Sequence, residues 1–279
     1  MTFHDNTLAK SGPDFAAIKT KQQEAWGSGD YAIVGVTLQI VGEQLAEAAD
    51  IRPGQKVLDV AAGNGNATLA AARRFADVTS TDYVASLLDK GRVRAEAEGA
   101  NVRFLQADAE ALPFSDWQFD SVLSTFGVMF TPDHGQSANE MMRVCKPGGK
   151  IGLANWTPDG FIGTLFKTIG KRVPPPAGVP SPALWGTDGH LQALFGAEAS
   201  DIAIKRRDFS FRYRSVGHWL KLFRDYYGPV HKAFQALSPE AQDDLANDLS
   251  AVAHGFNTAQ DGRMIVPGEY LEVVVTKRR

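Results

Sequence analysis

Three acidic residues follow three successive short strand-like runs, and they carry most of the chemistry legible in this sequence. Asp59 opens the stretch Asp59-Val60-Ala61-Ala62-Gly63-Asn64-Gly65-Asn66, Asp82 follows Val78-Thr79-Ser80-Thr81, and Asp108 follows Val102–Ala107. Small residues at a strand-to-helix turn let a ligand approach the backbone, and the free N–H groups of a helix start meet polar ligand atoms. A Gly-rich turn alone is shared by nicotinamide, flavin and nucleotide proteins. Here the nicotinamide fingerprint G-x-G-x-x-G/A fails, because counting from Gly63 and Gly65 the third position is Thr68. Asp59 narrows the choice further. A carboxylate repels a pyrophosphate and attracts a ligand that bears ammonium or sulfonium charge. For Asp82 two roles are open, acceptor of ribose hydroxyls and N-cap of the next helix. Asp108 could meet an exocyclic adenine amine or cap a turn.

Positioning these acids requires alternating strands and helices. Val57-Leu58-Asp59-Val60-Ala61 is a short apolar run of the kind buried on both faces, and an Ala-rich helix is expected over Ala67–Phe75. Strands are expected at 78–81, 102–107, 121–125 and 150–156, with a helix over Ser137–Cys145 stopped by Lys146-Pro147-Gly148-Gly149. Such alternation implies right-handed crossovers and a parallel sheet covered on both faces. Ahead of it, residues 14–50 read as helices broken at Gly27-Ser28-Gly29-Asp30. Behind it, Phe161, Leu165, Phe166 and Ile169 mark a short amphipathic helix, and Pro174-Pro175-Pro176 a connection. Strands follow at 202–214 and 270–276, with helices between them over 216–259. The organisation expected is a helical cap (1–50), a ligand-binding core (51–156), lid insertions (157–200 and 215–262) and two last strands (201–214 and 265–279) in one structural domain.

Composition bounds the function. The 279 residues carry 44% hydrophobic and 22% charged side chains with a formal net charge of -3, so no basic field points to nucleic acid or an anionic membrane. Lys205-Arg206-Arg207 reads as a solvated strand face. Cys145 is the only cysteine, which rules out an internal disulfide and fits a reducing compartment, and no zinc-binding Cys/His pattern is expected from the spacing. No apolar run approaches the roughly 20 residues of a membrane span, and Met1–Asp5 lacks a signal-like basic and apolar pattern. A cytoplasmic setting is the expectation.

Taken in order, Val57–Thr68 (VLDVAAGNGNAT), Thr81-Asp82, Asp108–Phe114 (DAEALPF), Phe119–Val122 (FDSV) and Lys146–Gly149 (KPGG) before an apolar strand resemble a class I methyltransferase. The likeness is to the broad group that includes the ubiquinone and menaquinone C-methyltransferases and many small-molecule methyltransferases, and it covers about residues 52–156. It implies a Rossmann-like α/β fold with a seven-stranded, mostly parallel sheet in the order 3-2-1-4-5-7-6, strand 7 antiparallel, helices on both faces, and S-adenosylmethionine as cofactor. Carried over by position, Asp59 would anchor the methionine end, with Ala61, Gly63 and Gly65 giving close backbone approach. Asp82 would bind the ribose, Tyr83 would flank the adenine, Asp108 and Ala109 would bind its ring, and Ser124 would line the methionine side. Ala61 stands where the family usually has Gly. It is expected to tolerate a strand conformation there, and a positive φ would make it costly.

The acceptor is a small molecule on this reading, largely apolar or aromatic, methylated at oxygen, nitrogen or carbon, with no nucleic acid expected as partner and no metal. Phe126, Met129, Trp156 and Tyr226 are candidates for its pocket, within a wider aromatic supply that includes Trp26, Tyr31, Phe130, Trp185, Trp219, Phe223 and Tyr227. Among possible bases, His134 ranks ahead of His218 and His231, since it follows the fourth strand. Competing readings are a macromolecule methyltransferase, which would want a basic groove or an Asn/Asp-Pro-Pro-Tyr motif where Ser124-Thr125-Phe126-Gly127 stands, and a non-catalytic binding module.

Overall fold

A computed structural model describes residues 13–279. The Met1–Asp5 reading therefore lies outside the described residues. Strands β1 (Lys56–Val60), β2 (Asp77–Asp82), β3 (Val102–Gln106), β4 (Phe119–Thr125), β5 (Cys145–Trp156), β6 (Ala199–Tyr213) and β7 (Met264–Lys277) form one sheet in the order β3-β2-β1-β4-β5-β7-β6. β7 runs antiparallel to both neighbours and the other pairings are parallel. The expected order and the reversed strand are both present.

The period of two decides which side chain goes where. Along β1, Val57 joins one apolar layer with Leu45, Ala67, Ala70, Val78 and Leu123, whereas Leu58 and Val60 join the opposite layer. Asp59 therefore shares the face of Val57, beneath the helix that follows β1. That helix, α4 (Asn66–Ala72), packs against α3 (Gln39–Ala48). Ahead of α3 lie α1 (Phe15–Gly27), capped by the Asp14 carboxylate, and the short α2 (Tyr31–Gly35), capped by Asp30. The remaining helices are α5 (Ala85–Ala97), α6 (His134–Val144), α7 (Phe161–Arg172), α8 (Asp188–Phe195), α9 (Val216–Tyr226), α10 (Gly228–Gln235) and α11 (Pro239–Phe256).

Several boundaries differ from the sequence reading. β5 begins at Cys145, which pairs with Phe119 before a register shift, so the Lys-Pro-Gly-Gly stretch is the bent start of a strand and α6 has already ended at Val144. The Ala-rich helix stops at Ala72, because Phe75 takes a φ of 59° that no helix accommodates. The last strand is longer than its apolar core. Beyond Tyr270, the last partner of β5, its first residues pair with β6 alone, and Pro267 is tolerated there. Among the described residues no helix is long and apolar enough to cross a membrane.

Candidate active site

The loop after β1 is built from left-handed residues. Gly63 and Gly65 have φ of 56° and 85°, and Gly65 is the N-cap of α4 with no side chain to satisfy the helix start. Asp59 supplies that acceptor from the strand below. Its Oδ2 accepts the Thr68 N–H at 2.8 Å and the Thr68 hydroxyl at 2.6 Å. Its carboxylate meets the first-turn N–H groups that a helix leaves free. The group is fully buried, Oδ1 has no partner among the described residues, and burial pushes the pKa up to about 7 against the pull of the Thr68 bonds. The expectation that Asp59 stands at the mouth of the loop is therefore corrected: it lies under the loop, outside the wall of the cavity, and holds the turn in shape.

Ala61 also departs from expectation. Its φ is 51°, so a side chain occupies the left-handed region that glycine favours, and the extended conformation foreseen for it is wrong. The adjoining tip of β4 explains the crowding. Phe126 too has a positive φ, 58°, and a Cβ on Gly127 would fall 2.1 Å from the Ala61 carbonyl oxygen. Ser124 ties the two tips together, donating to the Val60 carbonyl at 2.7 Å and accepting the Val128 N–H at 3.0 Å. It is fully buried and does not line the cavity.

Asp82 is where the sequence places it. Oδ2 accepts the Gly63 N–H at 2.9 Å and Oδ1 the Val84 N–H at 2.8 Å, so one carboxylate joins the Gly loop to the start of α5 and still faces the cavity. Burial pushes its pKa up to about 6, partly offset by these backbone donors. Beside it lie Tyr83, Asp108 and Ala109. Asp108 accepts the Glu110 N–H at 2.9 Å and the Lys19 ammonium at 2.7 Å.

These groups line one end of a cavity whose atom-free space, counted out through its mouth, is about 1090 Å³. The other end is aromatic. Phe126 and Trp156 stack with ring centroids 3.8 Å apart and planes within 2°, and Phe211, Phe223 and Tyr227 complete the wall. Sequence reasoning missed Lys19, Gln22 and Ile162 as lining residues. It named Trp26, Tyr31 and Tyr227 only as part of a general aromatic supply. The break before Tyr31 was the signal for the N-terminal wall: Tyr31 lies over the Gly loop, where a Cβ on Gly63 would come within 3.4 Å of its ring.

Three candidates fall elsewhere. Met129 is buried in the core and Tyr226 is absent from the wall that its neighbour Tyr227 joins, because the end of α9 turns only one of the two inward. His134 starts α6 behind the cavity, packed against Trp185, with Nδ1 2.9 Å from His190 Nε2. Burial and the His190 ring push its pKa down to about 4. His218 accepts the Arg214 N–H and His231 contacts the Arg224 carbonyl, neither of them lining the cavity.

Residues 57–149 match the family described as Methyltransferase domain. An uncharacterised protein of Mycobacterium tuberculosis is 38% identical over 261 residues, covering 92% of this chain and 93% of that protein. The demethylmenaquinone methyltransferase of Thermus thermophilus is 34% identical over 167 residues, 57% of this chain and 76% of the relative. Among solved structures, a methyltransferase-like protein of Bacillus halodurans superposes with a TM-score of 0.60 at 20% identity over 85% of this chain and 98% of that one, which shows the shared fold.

Proposed function

The chain belongs to the class I, Rossmann-like S-adenosylmethionine-dependent methyltransferases, and from that premise we propose that it methylates a small, largely apolar or aromatic acceptor. One observation carries the reading: a single cavity runs from the Gly loop, Asp82 and Asp108 to a wall of Phe126, Trp156, Phe211 and Phe223. The residues present fit the cofactor. Gly63 leaves its backbone bare beneath Tyr31, and Asn64, on the same wall, has a buried side-chain nitrogen with no partner among the described residues. Asp82 gives that end a carboxylate able to accept hydrogen bonds from a ligand, and the Asp108 carboxylate beside it is paired with Lys19. When bound, S-adenosylmethionine supplies a methyl carbon already activated by its positive sulfur.

The protein's share is then alignment and exclusion of water. Asp82 would hold the ribose, Tyr83 and Ala109 would flank the adenine, and the backbone at Ala61 and Gly63 would follow the methionine portion. Asp59 and Ser124 serve as positioning residues, fixing the loop and the β4 tip. Among the lining aromatics Tyr31 and Tyr227 carry phenol groups. Burial raises both phenol pKa values above 10, so they stay protonated and orient rather than deprotonate. With no imidazole on the wall among the described residues, the acceptor best suited is one whose nucleophile needs no strong base, such as an acidic phenol, an enol or an amine lone pair. The relative named for demethylmenaquinone supports an apolar acceptor class. The buried thiol of Cys145, its pKa pushed up to about 12, has no part in this chemistry and suits a cytoplasmic setting.

Titration calorimetry with S-adenosylhomocysteine tests the cofactor assignment. The expected result is binding that strengthens as pH rises through about 6, where Asp82 ionises, and that weakens at least about tenfold in Asp82→Asn, the loss of about 1.4 kcal/mol for a charged hydrogen-bond acceptor. Absence of binding at millimolar ligand sinks the assignment. Labelled methyl groups traced from the cofactor into an extract of the source cells, with mass spectrometry of the product, identify the acceptor.

A further inference from the structure

Helix α5 directs a guanidinium at the Gly loop. Gly91 brings the helix close, since a Cβ there would lie 3.0 Å from the Phe104 ring and 3.5 Å from the Asn64 carbonyl carbon. Three residues on, along the same helix face, Arg94 reaches the loop itself. Its Nη1 donates to the Asn64 carbonyl at 2.7 Å and to Asn66 Oδ1 at 2.9 Å. Asn66 in turn donates from Nδ2 to the Gly35 carbonyl at 2.7 Å, so one chain of bonds runs from α5 through the loop to α2. Arg94 is half-buried, and among the described residues both of its hydrogen bonds go to neutral oxygens and none to a carboxylate. Burial lowers its pKa, opposed by the Glu98 charge and aided by that of Arg73. Holding a positive charge there without a paired anion is costly, and a plain packing role would be met by an apolar side chain.

The residue it holds is the one that faces the cavity. The Asn64 side chain lies on the wall, 1% exposed, with Nδ2 unpartnered among the described residues. Gly35 leaves room for the Asn64 Oδ1, which a Cβ there would approach to 2.6 Å. The Asn64–Gly65 peptide turns easily by itself, because Gly65 has a φ of 85° and no side chain to limit it. We propose that Arg94 is a positioning residue for the cofactor, holding the Asn64 carbonyl towards α5 so that Asn64 presents its side-chain amide to the bound ligand. The proposal rests on the cofactor assignment above. Arg94 is absent from the cavity wall and acts through Asn64.

Titration calorimetry with S-adenosylhomocysteine tests this on the full chain, comparing the parent with Arg94→Met, Arg94→Lys, Asn64→Ala and the double variant Arg94→Met/Asn64→Ala. Arg94→Met keeps an unbranched stem and removes the donors. It is expected to bind about tenfold more weakly, equivalent to about 1.4 kcal/mol, and Arg94→Lys recovers most of that loss through its ammonium. Asn64→Ala weakens binding to a similar degree. The double variant is no weaker than either single one, since the two residues act as a unit. Thermal melts of the ligand-free proteins set a temperature at which each is folded, which keeps lost stability out of the comparison. An arginine that only props the fold would lower the melting temperature of Arg94→Met and leave its affinity at the parent value. That result overturns the proposal, and so do losses that add in the double variant. If Arg94→Met does not fold, Arg94→Gln takes its place with the same expectations. A parent chain that binds no S-adenosylhomocysteine at millimolar ligand fails the cofactor assignment itself and takes this proposal with it.

Discussion

Ala61 shows how much a single methyl group on Cα matters. At a φ of 51° an alanine sits in the region that costs an L-residue about 1–2 kcal/mol, and the tip of β4 presses on it from the side. Ala61→Gly removes that strain, although the glycine gives back part of the gain through the greater entropy of the unfolded chain. The expected net effect is a protein about 1 kcal/mol more stable, with a melting temperature higher by about 2–4 °C. A thermal melt that shifts downward would show that the alanine is unstrained. Asp59 and Asp82 make a second contrast at this scale. Both are buried carboxylates at strand ends, but one satisfies the first turn of α4 from below and the other joins the Gly loop to α5 while facing the cavity.

Among elements, the tips of β1 and β4 are the tightest junction in the site. Gly127 lies in the ordinary helical region, so its requirement is for space. A Cβ there would meet the Ala61 carbonyl oxygen at 2.1 Å and the Ala61 Cβ at 2.7 Å. Gly127→Ala is therefore expected to cost about 3 kcal/mol or more by overpacking against backbone, and to displace Phe126 from its stack on Trp156. Combining it with Ala61→Gly gives no rescue, because the carbonyl oxygen remains. Denaturant titration of the two single variants and the double variant decides this, and recovery of stability in the double variant would place the clash at the side chain alone.

For the whole molecule, the buried carboxylates give stability an unusual pH dependence. The folded-state pKa of Asp59, about 7, exceeds its unfolded value of 3.8. Its contribution is fully present below about 4 and is lost as pH rises through about 7, since only the folded chain resists its ionisation. Glu43, Asp120 and Glu140 act oppositely. Arg73 and Arg74, Lys146 and Arg143 respectively hold their pKa values below the unfolded ones, so their contribution is present above about 4 and lost in acid. The ligand-free chain should thus lose stability from pH 4 to 7 more steeply than Asp59→Asn, with the same acid limb in both. Melting temperatures taken across pH 3–8 measure the slopes, and equal slopes between 4 and 7 would mean that Asp59 is already ionised in the fold.

The alternation of strands and helices and the site at the carboxyl ends of the strands were legible in the chain, because apolar runs, their period and Gly-Pro punctuation are local signals repeated along it, while the strand order and the reversed seventh strand came from the resemblance to the methyltransferases. Asp82, Tyr83, Asp108, Ala109, Phe126 and Trp156, named from the sequence, all line the cavity. Which acid faces a ligand was not legible. Asp59 and Asp82 fall on the same face of the sheet and differ by their place along the strand and by what packs over each, and a linear pattern does not carry that. Nor did it show that Tyr227, rather than Tyr226, turns inward, that Ala61 is forced to positive φ by a neighbouring strand, or that Lys19 meets Asp108 across 89 residues. Those facts arise where separate elements meet, and packing between distant segments settles them.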